Sequence, residues 1–323
     1  MSRPSSTPAV RVSAYAAGQK QAWDEFVDRS KNGLFLFRRD YMEYHADRFT
    51  DSSLTFADDE GRLIALLPAS VKDGVVTSHA GLTFGGVVCD QTMKAALMLE
   101  LFDALGDHLK RGGATKLVYK AVPHIYHRLP AEEDLYALFR KGARLFRRDI
   151  STTIDARERL PFSKGRRWSI KQAQKAKLVV ERSHDFRAFM AMEEALLAAK
   201  YDVRPTHTGA EMEMLAARFP EEIKLFVSRR DGELLAGVVV YEYGRVAHAQ
   251  YISATDEGKK TGAPDLILDF LINDYYAGAR YFDFGISTER GGRYLNAGLI
   301  ENKQGFGGRA VVHDFYEWEL GGD

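Results

Sequence analysis

The chain has 323 residues, more than one hydrophobic core usually serves, so two domains are expected. Apolar residues at 45% and charged residues at 28% exclude a largely disordered chain, and no apolar run is long enough to span a bilayer. A net charge of zero excludes the broad basic excess of a nonspecific nucleic-acid binder. The single cysteine, Cys89, excludes both a disulfide framework and a cysteine-based metal site.

The start, Met1–Pro8, is rich in Ser and Pro and reads as disordered, without the charged-then-apolar pattern of a signal peptide. A soluble protein of the reducing cytoplasm is therefore expected. Helical patterns follow at Gln19–Ser30 and Arg39–Arg48. SLTFADDEGRLIALLPASV then reads as two strands around a Glu60-Gly61 turn, and a second turn at Asp73-Gly74 leads into VVTSHAGLTFGG. An amphipathic helix over Gln91–Arg111 ends near Gly112, and a short apolar strand covers 116–122.

The second half repeats this order. Helices are expected at Asp185–Lys200 and Gly209–Phe219. A hairpin turns at Asp231-Gly232, another turn at Tyr243-Gly244 leads into RVAHAQYISAT, a helix covers Asp265–Ala277 up to Gly278, and a strand covers 280–286. A spacing this wide between like turns means a duplicated domain rather than a solenoid. The fold class is α/β (α+β), with mixed, mostly antiparallel sheets flanked by helices, divided as 1–158 and 159–323 through the basic stretch ERLPFSKGRRWSIKQAQKAK. A final strand, RAVVHDFYEWEL, is expected to complete a sheet across the domains.

Near the C-terminus, YFDFGISTERGGRYLNAGLIENKQGFGG places Asp283, Gly285, Gly298, Leu299, Lys303, Phe306 and Gly307 in an order that resembles the Fem/GNAT-like transferases. The stretch KGRRWSIKQAQKAKLVVERS resembles the basic segment that opens the second domain of those proteins. Asn302 stands where the family usually has Phe. The resemblance implies two tandem GNAT-like domains, an acceptor side in the first and a donor side in the second, and an N-acyltransferase. Its co-substrate is either aminoacyl-tRNA, the reading favoured, or acyl-CoA, with no tightly bound cofactor.

Acyl transfer to an amine needs donors aimed at a developing oxyanion, and by resemblance Lys303 fills that role, with Asp283 as the second catalytic candidate. Ser163-Lys164-Gly165 can open a helix near Arg166, where Arg166 and Arg167 would make an anion pocket. Arg167, Lys171 and Lys175 share one helical face, which is either a binding surface or a solvated one. In DEGKKTGAPD (256–265), read as a Gly-rich loop before a helix, Gly258, Gly262, Lys259 and Lys260 are candidates for holding a diphosphate. The equivalent turn of the first half, LTFGGVVCDQ, has no basic residue, so only the second domain looks able to hold a phosphorylated donor.

Acceptor-binding candidates are Arg38, Tyr41 and His45 in LFRRDYMEYH, His124 and His127 after the 116–122 strand, and Tyr201 in KYDVRPTHT, a loop that also carries Asp202 and His207. His45 stands where the family often has lysine, which implies an acceptor other than a cell-wall precursor nucleotide. The expected partners are a small-molecule, sugar or peptide acceptor and, on the aminoacyl reading, the acceptor end of a tRNA, with no DNA and no metal. The alternative class is a noncatalytic module that binds a sugar nucleotide or peptide. No Gly-x-Ser-x-Gly elbow supports a hydrolase.

Overall fold

The computed structural model describes residues 10–201 and 204–321, so the Ser- and Pro-rich start and Asp202 lie outside the described residues. It divides into two units, one of residues 1–148 and 312–323 and one of residues 149–311. The expected boundary at 158/159 lies ten residues later in the chain than this division, and the last twelve residues return to the first unit.

In the first unit the chain runs through β1 (Arg11–Ala14), α1 (Lys20–Arg29), α2 (Arg39–Met42), β2 (Thr50–Asp51), β3 (Leu54–Ala57), β4 (Leu63–Leu67), β5 (Ser70–Lys72), β6 (Val75–Thr77) and β7 (Val88–Cys89). Then come α3 (Ala95–Arg111), β8 (Lys116–Lys120), α4 (Glu133–Arg140) and the start of β9 (Arg144–Asp155). Strands β1, β3, β4 and β7 form a small antiparallel sheet. In a second sheet β2, β5, β6 and β8 lie in that order, with β6 and β8 parallel.

The expected Glu60-Gly61 and Asp73-Gly74 turns join β3 to β4 and β5 to β6, with Gly61, Asp73 and Gly74 at positive φ as such turns demand. Helix α3 buries Met98, Leu101, Phe102, Leu105 and Leu109 at helical spacing. They pack with Leu117, Tyr119 and Trp318 into the core of this unit.

The second unit holds the rest of β9, then α5 (Lys164–Lys175), β10 (Val179–Ser183), α6 (Phe186–Tyr201), α7 (Gly209–Arg218), β11 (Ile223–Arg230), β12 (Glu233–Glu242) and β13 (Val246–Ala254). It continues with α8 (Asp256–Thr261), α9 (Ala263–Phe270), β14 (Tyr281–Ile286), β15 (Thr288–Glu289), β16 (Tyr294–Leu295) and α10 (Ala297–Gln304). Strand β17 (Arg309–Glu319) follows and carries the chain back to the first unit, where it pairs antiparallel with β8.

The sheet order in the second unit is β10, β11, β12, β13, β14, β9, antiparallel except for the parallel pair β13 and β14. Each unit thus contains antiparallel hairpins and one parallel pair joined through a helix, as the repeated sequence order implies. The apolar face of α9 buries Leu266, Ile267 and Leu268 against Ala236, Val238 and Val240 of β12 and Ala247 and Ala249 of β13. A one-turn π segment, Leu271–Tyr275, follows α9.

The stretch 256–265, expected as a loop, is largely helical. Thr255 caps α8 by accepting from the Gly258 N–H, and Asp256 and Glu257 in the first turn suit the positive end of the helix. Truncating one anchor per core, Leu101→Ala or Ile267→Ala, is expected to cost about 2–5 kcal/mol each in denaturant titration. A loss below about 1 kcal/mol at either position would contradict the packing described.

Candidate active site

The pairing of β13 with β14 covers only Val246↔Tyr281, Ala247↔Phe282 and His248↔Asp283. Beyond that point β13 runs on to Ala254 and β14 to Ile286, and each strand carries an irregularity just past the last pair. Against β12, the register of β13 shifts between Val239 and Val240, which leaves Gln250 as an extra residue. Against β9, the register of β14 shifts between Asp283 and Ile286, where Gly285 has a φ of +73°. One inserted residue kinks a strand and increases its twist, and a left-handed backbone there favours glycine. The two strands part where these bulges sit.

At the fork lies Asp283, which has no exposed surface. A buried carboxylate needs donors, and four reach it. Ser151 Oγ and Thr153 Oγ1 of β9 each donate to Oδ1 at 2.6 Å. His248 Nδ1 lies 2.7 Å from Oδ2, and the Gly285 N–H donates to the same oxygen at 3.2 Å. The register explains the convergence, because Thr153, Asp283 and His248 are cross-strand neighbours on three adjacent strands.

An ionised carboxylate only accepts, so His248 carries its proton on Nδ1 and turns Nε2 away from Asp283. A Cβ added at Gly285 would sit 3.4 Å from His248 Cε1, so the imidazole edge lies against the bare backbone of the bulge.

Lys303 meets the same bulge from α10. Asn296 caps that helix by accepting from the Leu299 N–H, and its own N–H donates to the Ser287 carbonyl, which ties the helix to the end of β14. Lys303 is buried, and its Nζ donates to the carbonyls of Gly285 at 2.9 Å and Ile286 at 2.7 Å. Burial pushes its ammonium down to about 8, against the opposing pull of Asp283. Phe306 anchors the following turn between Phe162 and Phe284, and Gly307 passes close to the Leu160 backbone. The two catalytic candidates from sequence therefore meet at one bulge. His248, Ser151 and Thr153 were missed, although a histidine alternating with apolar residues in RVAHAQY was a usable signal.

The donor candidates fall elsewhere. Arg166 holds Asp265, in the first turn of α9, at 2.7 and 3.0 Å, and its guanidinium lies over Phe306. Arg167 Nη1 donates to the Phe162 carbonyl at 2.5 Å. Arg167 and Lys171 line a cavity of about 560 Å³ with Arg159, Phe162, Asp269 and Asn273. Lys259 pairs with Asp256, and Lys260 is exposed. Gly258 lies against the Leu235 carbonyl and Gly262 against the Ser169 backbone, so packing accounts for both glycines.

Among the acceptor candidates, Arg38 pairs with Asp28 at 2.8 Å, and Tyr41 is buried edge-on to Phe35. His45 is buried, stacks on His79 and lies 3.3 Å from the Gly81 carbonyl through Nε2. His124 is exposed. His127 is buried against the Val122 carbonyl, and burial pushes it down to about 4. Tyr201 closes α6, and its side chain lies outside the described residues.

The corresponding place in the first unit is closed. Past the last β6–β8 pair, the Ser78 N–H donates to the Val118 carbonyl, the Lys120 N–H to Ser78 Oγ, and the Gly85 N–H to the Lys120 carbonyl. The chain after β6 thus continues to bond β8 instead of parting from it. Among the described residues no cluster of three or more His, Cys, Asp or Glu side chains is placed to hold a metal, and no helix is long and apolar enough to cross a membrane.

Residues 162–294 match the family model of the acetyltransferase (GNAT) domain. The chain has the fold of the Fem/GNAT-like proteins, and residues 162–294 are a GNAT domain. Its GNAT domain makes it an acyltransferase, and that domain contains His248 and Asp283. The solved structure of FemX is similar over 96% of this chain and 97% of that one, at 12% identity and a TM-score of 0.69. L-PGS from Bacillus licheniformis is similar over 93% and 91%, at 12% identity and a TM-score of 0.59. A tandem GNAT protein from the clavulanic acid biosynthesis pathway covers 97% and 99%, at 13% identity and a TM-score of 0.52. At such identities the likeness is one of fold. No curated protein matches the chain in sequence.

Lys303 also makes stability depend on pH. With its folded value near 8 and its ordinary value of 10.5, the unfolded chain binds the extra proton between those limits. The cost of burying the ammonium is full below pH 8 and fades as the pH rises towards 10.5. Denaturant titrations from pH 7 to 10.5 should therefore show the wild type gaining on Lys303→Met by on the order of 1–3 kcal/mol. A constant difference between the two would contradict the burial of a titrating ammonium.

Proposed function

We propose that the chain transfers an aminoacyl group from the ester at the acceptor end of a tRNA to an amine of a small-molecule, sugar or peptide acceptor, with the chemistry at the fork of β13 and β14. The observation that carries this reading is His248, held by a buried Asp283 in the tautomer whose Nε2 accepts a proton.

An amine attacking an ester must shed a proton as the C–N bond forms, and Nε2 of His248 is suited to take it. Asp283 orients the ring and stabilises the imidazolium that results, as the third group of a nucleophile–base–acid arrangement does. The parted strands supply the backbone groups around the acyl carbon. Lys303 holds the bulge through two of its three N–H donors, and near pH 7 it remains mainly charged beside the developing oxyanion.

The choice of donor rests on where the cations are spent. Arg166 is committed to Asp265 at the start of α9, and the N–H groups of Gly258 and Gly262 are bonded to Thr255 and to the Lys259 carbonyl. A diphosphate at that place would displace a buried carboxylate. Arg159, Arg167 and Lys171 instead form a basic cleft with an aromatic wall, which suits the phosphates and bases of a nucleic-acid end. Another solved structure similar in fold is named as a putative lysylphosphatidylglycerol synthetase, whose name describes an aminoacyl product. The second reading is acyl-CoA-dependent N-acetylation of an amine or amino sugar, favoured by the matched acetyltransferase domain.

Mixed aminoacyl-tRNAs and acetyl-CoA, each offered with a panel of amino sugars and peptides and followed by mass spectrometry, should give aminoacylated product only with the first. Consumption of acetyl-CoA alone would overturn the donor assignment. His248→Gln and Asp283→Asn should each lower kcat by about 10²–10⁴-fold, with the donor KM within about threefold of wild type. Unchanged turnover in either variant would remove the pair from the mechanism.

A further inference from the structure

Helices α5 and α10 leave between them a groove that the transfer chemistry does not use. Gly165, Trp168 and Ser169 recur three and four residues apart on α5, and Gly298, Glu301 and Asn302 do so on α10, so each helix turns one face to it. The groove holds about 680 Å³, within the range of small-molecule sites. Lys303 leaves α10 towards the bulge instead, and Arg167 and Lys171 line the separate basic cleft on the other side of α5.

Two glycines keep the groove open although the packing does not require them. A Cβ at Gly165 would come no nearer than 3.9 Å to Ser163 Oγ, and one at Gly298 no nearer than 4.0 Å to Asn296 Oδ1, both ordinary contacts. Trp168 lines the groove and is 63% exposed, whereas Trp23 and Trp318 are buried. The side chains of Glu301, Asn302 and Gln304 also line it, and they make no hydrogen bond or ion pair with other described residues. The charges of the groove cancel. Arg166 is paired with Asp265 at 2.7 Å, and Arg309, whose Nη1 donates to the Gly308 carbonyl, is offset in number by Glu301. A phosphate finds no net attraction here, and the basic cleft lies one helix face away.

An exposed indole beside uncommitted amide and carboxylate groups, without net charge, fits one ligand chemistry. The C–H face of a pyranose is apolar and slightly positive, so it lies flat against the negative face of an aromatic ring. Its hydroxyls both donate and accept, which amides, a carboxylate and a guanidinium can meet. We propose that the groove between α5 and α10 binds a neutral oligosaccharide, with Trp168 as the stacking platform and Glu301, Asn302 and Gln304 bonding its hydroxyls. Binding there does not depend on transfer at His248. It holds a glycan against the helix that also carries Lys303.

The test is equilibrium binding of chitotriose and maltotriose to the full-length protein, followed by saturation-transfer NMR of the sugar protons. Adenosine 3′,5′-bisphosphate serves as an anionic stacking ligand for comparison. At least one trisaccharide should bind saturably and shield Trp168, the exposed member of the three tryptophans, from acrylamide quenching. Trp168→Ala should weaken that binding by about tenfold or more, and Trp168→Phe should recover most of the loss. Asn302→Leu should weaken it by about threefold or more. No saturable binding of either sugar, equal binding by Trp168→Ala, or shielding of Trp168 by the bisphosphate alone would overturn the proposal. Each outcome is read without turnover, so a silent transferase assay would count against the transfer reading and not against this one.

Discussion

A carboxylate with no exposed surface must find all its donors inside the protein, and Asp283 meets that demand by joining three strands. Its partners come from β9, from β13 and from its own strand, so the register of the sheet and the hydration debt of one side chain are settled together. Removing any of them leaves a buried charge short of a donor, which is far more costly than the bond itself is worth. The orientation of His248, the conformation at Gly285 and the seat of Lys303 all follow from this centre.

The bulges give that centre an opening. Two strands that pair at three positions and then separate leave backbone groups available to a ligand, and Lys303 prevents the free end of β14 from collapsing by holding two successive carbonyls. Two donated bonds suit a neutral amine as well as an ammonium, so Lys303 can hold the bulge across its titration. The first unit carries a similar parallel pair, but Ser78 and Gly85 fill its fork from within the chain. Burial there drives His79 down to about 3 and Lys120 to about 7, which favours neutral groups. The inequality between the halves that the missing basic residues of LTFGGVVCDQ suggested thus has a backbone cause as well.

Much of the fold was legible because its signals are local. Glu60-Gly61, Asp73-Gly74 and Asp231-Gly232 are turn residues whose backbone requirement travels with them, and the spacing of Leu101, Leu105 and Leu109 identifies a buried helical face without any partner. Asp283 and Lys303 were legible through the motif around them. His248, Ser151 and Thr153 were not, because pairing between strands distant in sequence is what brings them to Asp283, and of the three only His248, alternating with apolar residues in RVAHAQY, leaves a local trace. The stretch 256–265 was misread as a loop because its glycines suggested a phosphate turn, whereas Gly258 and Gly262 serve close approaches to Leu235 and Ser169. Arg166 was recognised as important, but its partner Asp265, 99 positions away, was invisible from sequence.

The central claim is that Asp283 fixes the tautomer of His248 and so leaves the proton-accepting nitrogen of the ring at Nε2. The most direct measurement is nitrogen-15 NMR of the labelled imidazole at neutral pH, with His248→Gln used to assign the resonance. The account predicts a protonated Nδ1 and an unprotonated Nε2 in the wild type, with loss of that preference in Asp283→Asn. A proton resident on Nε2 in the wild type would contradict it.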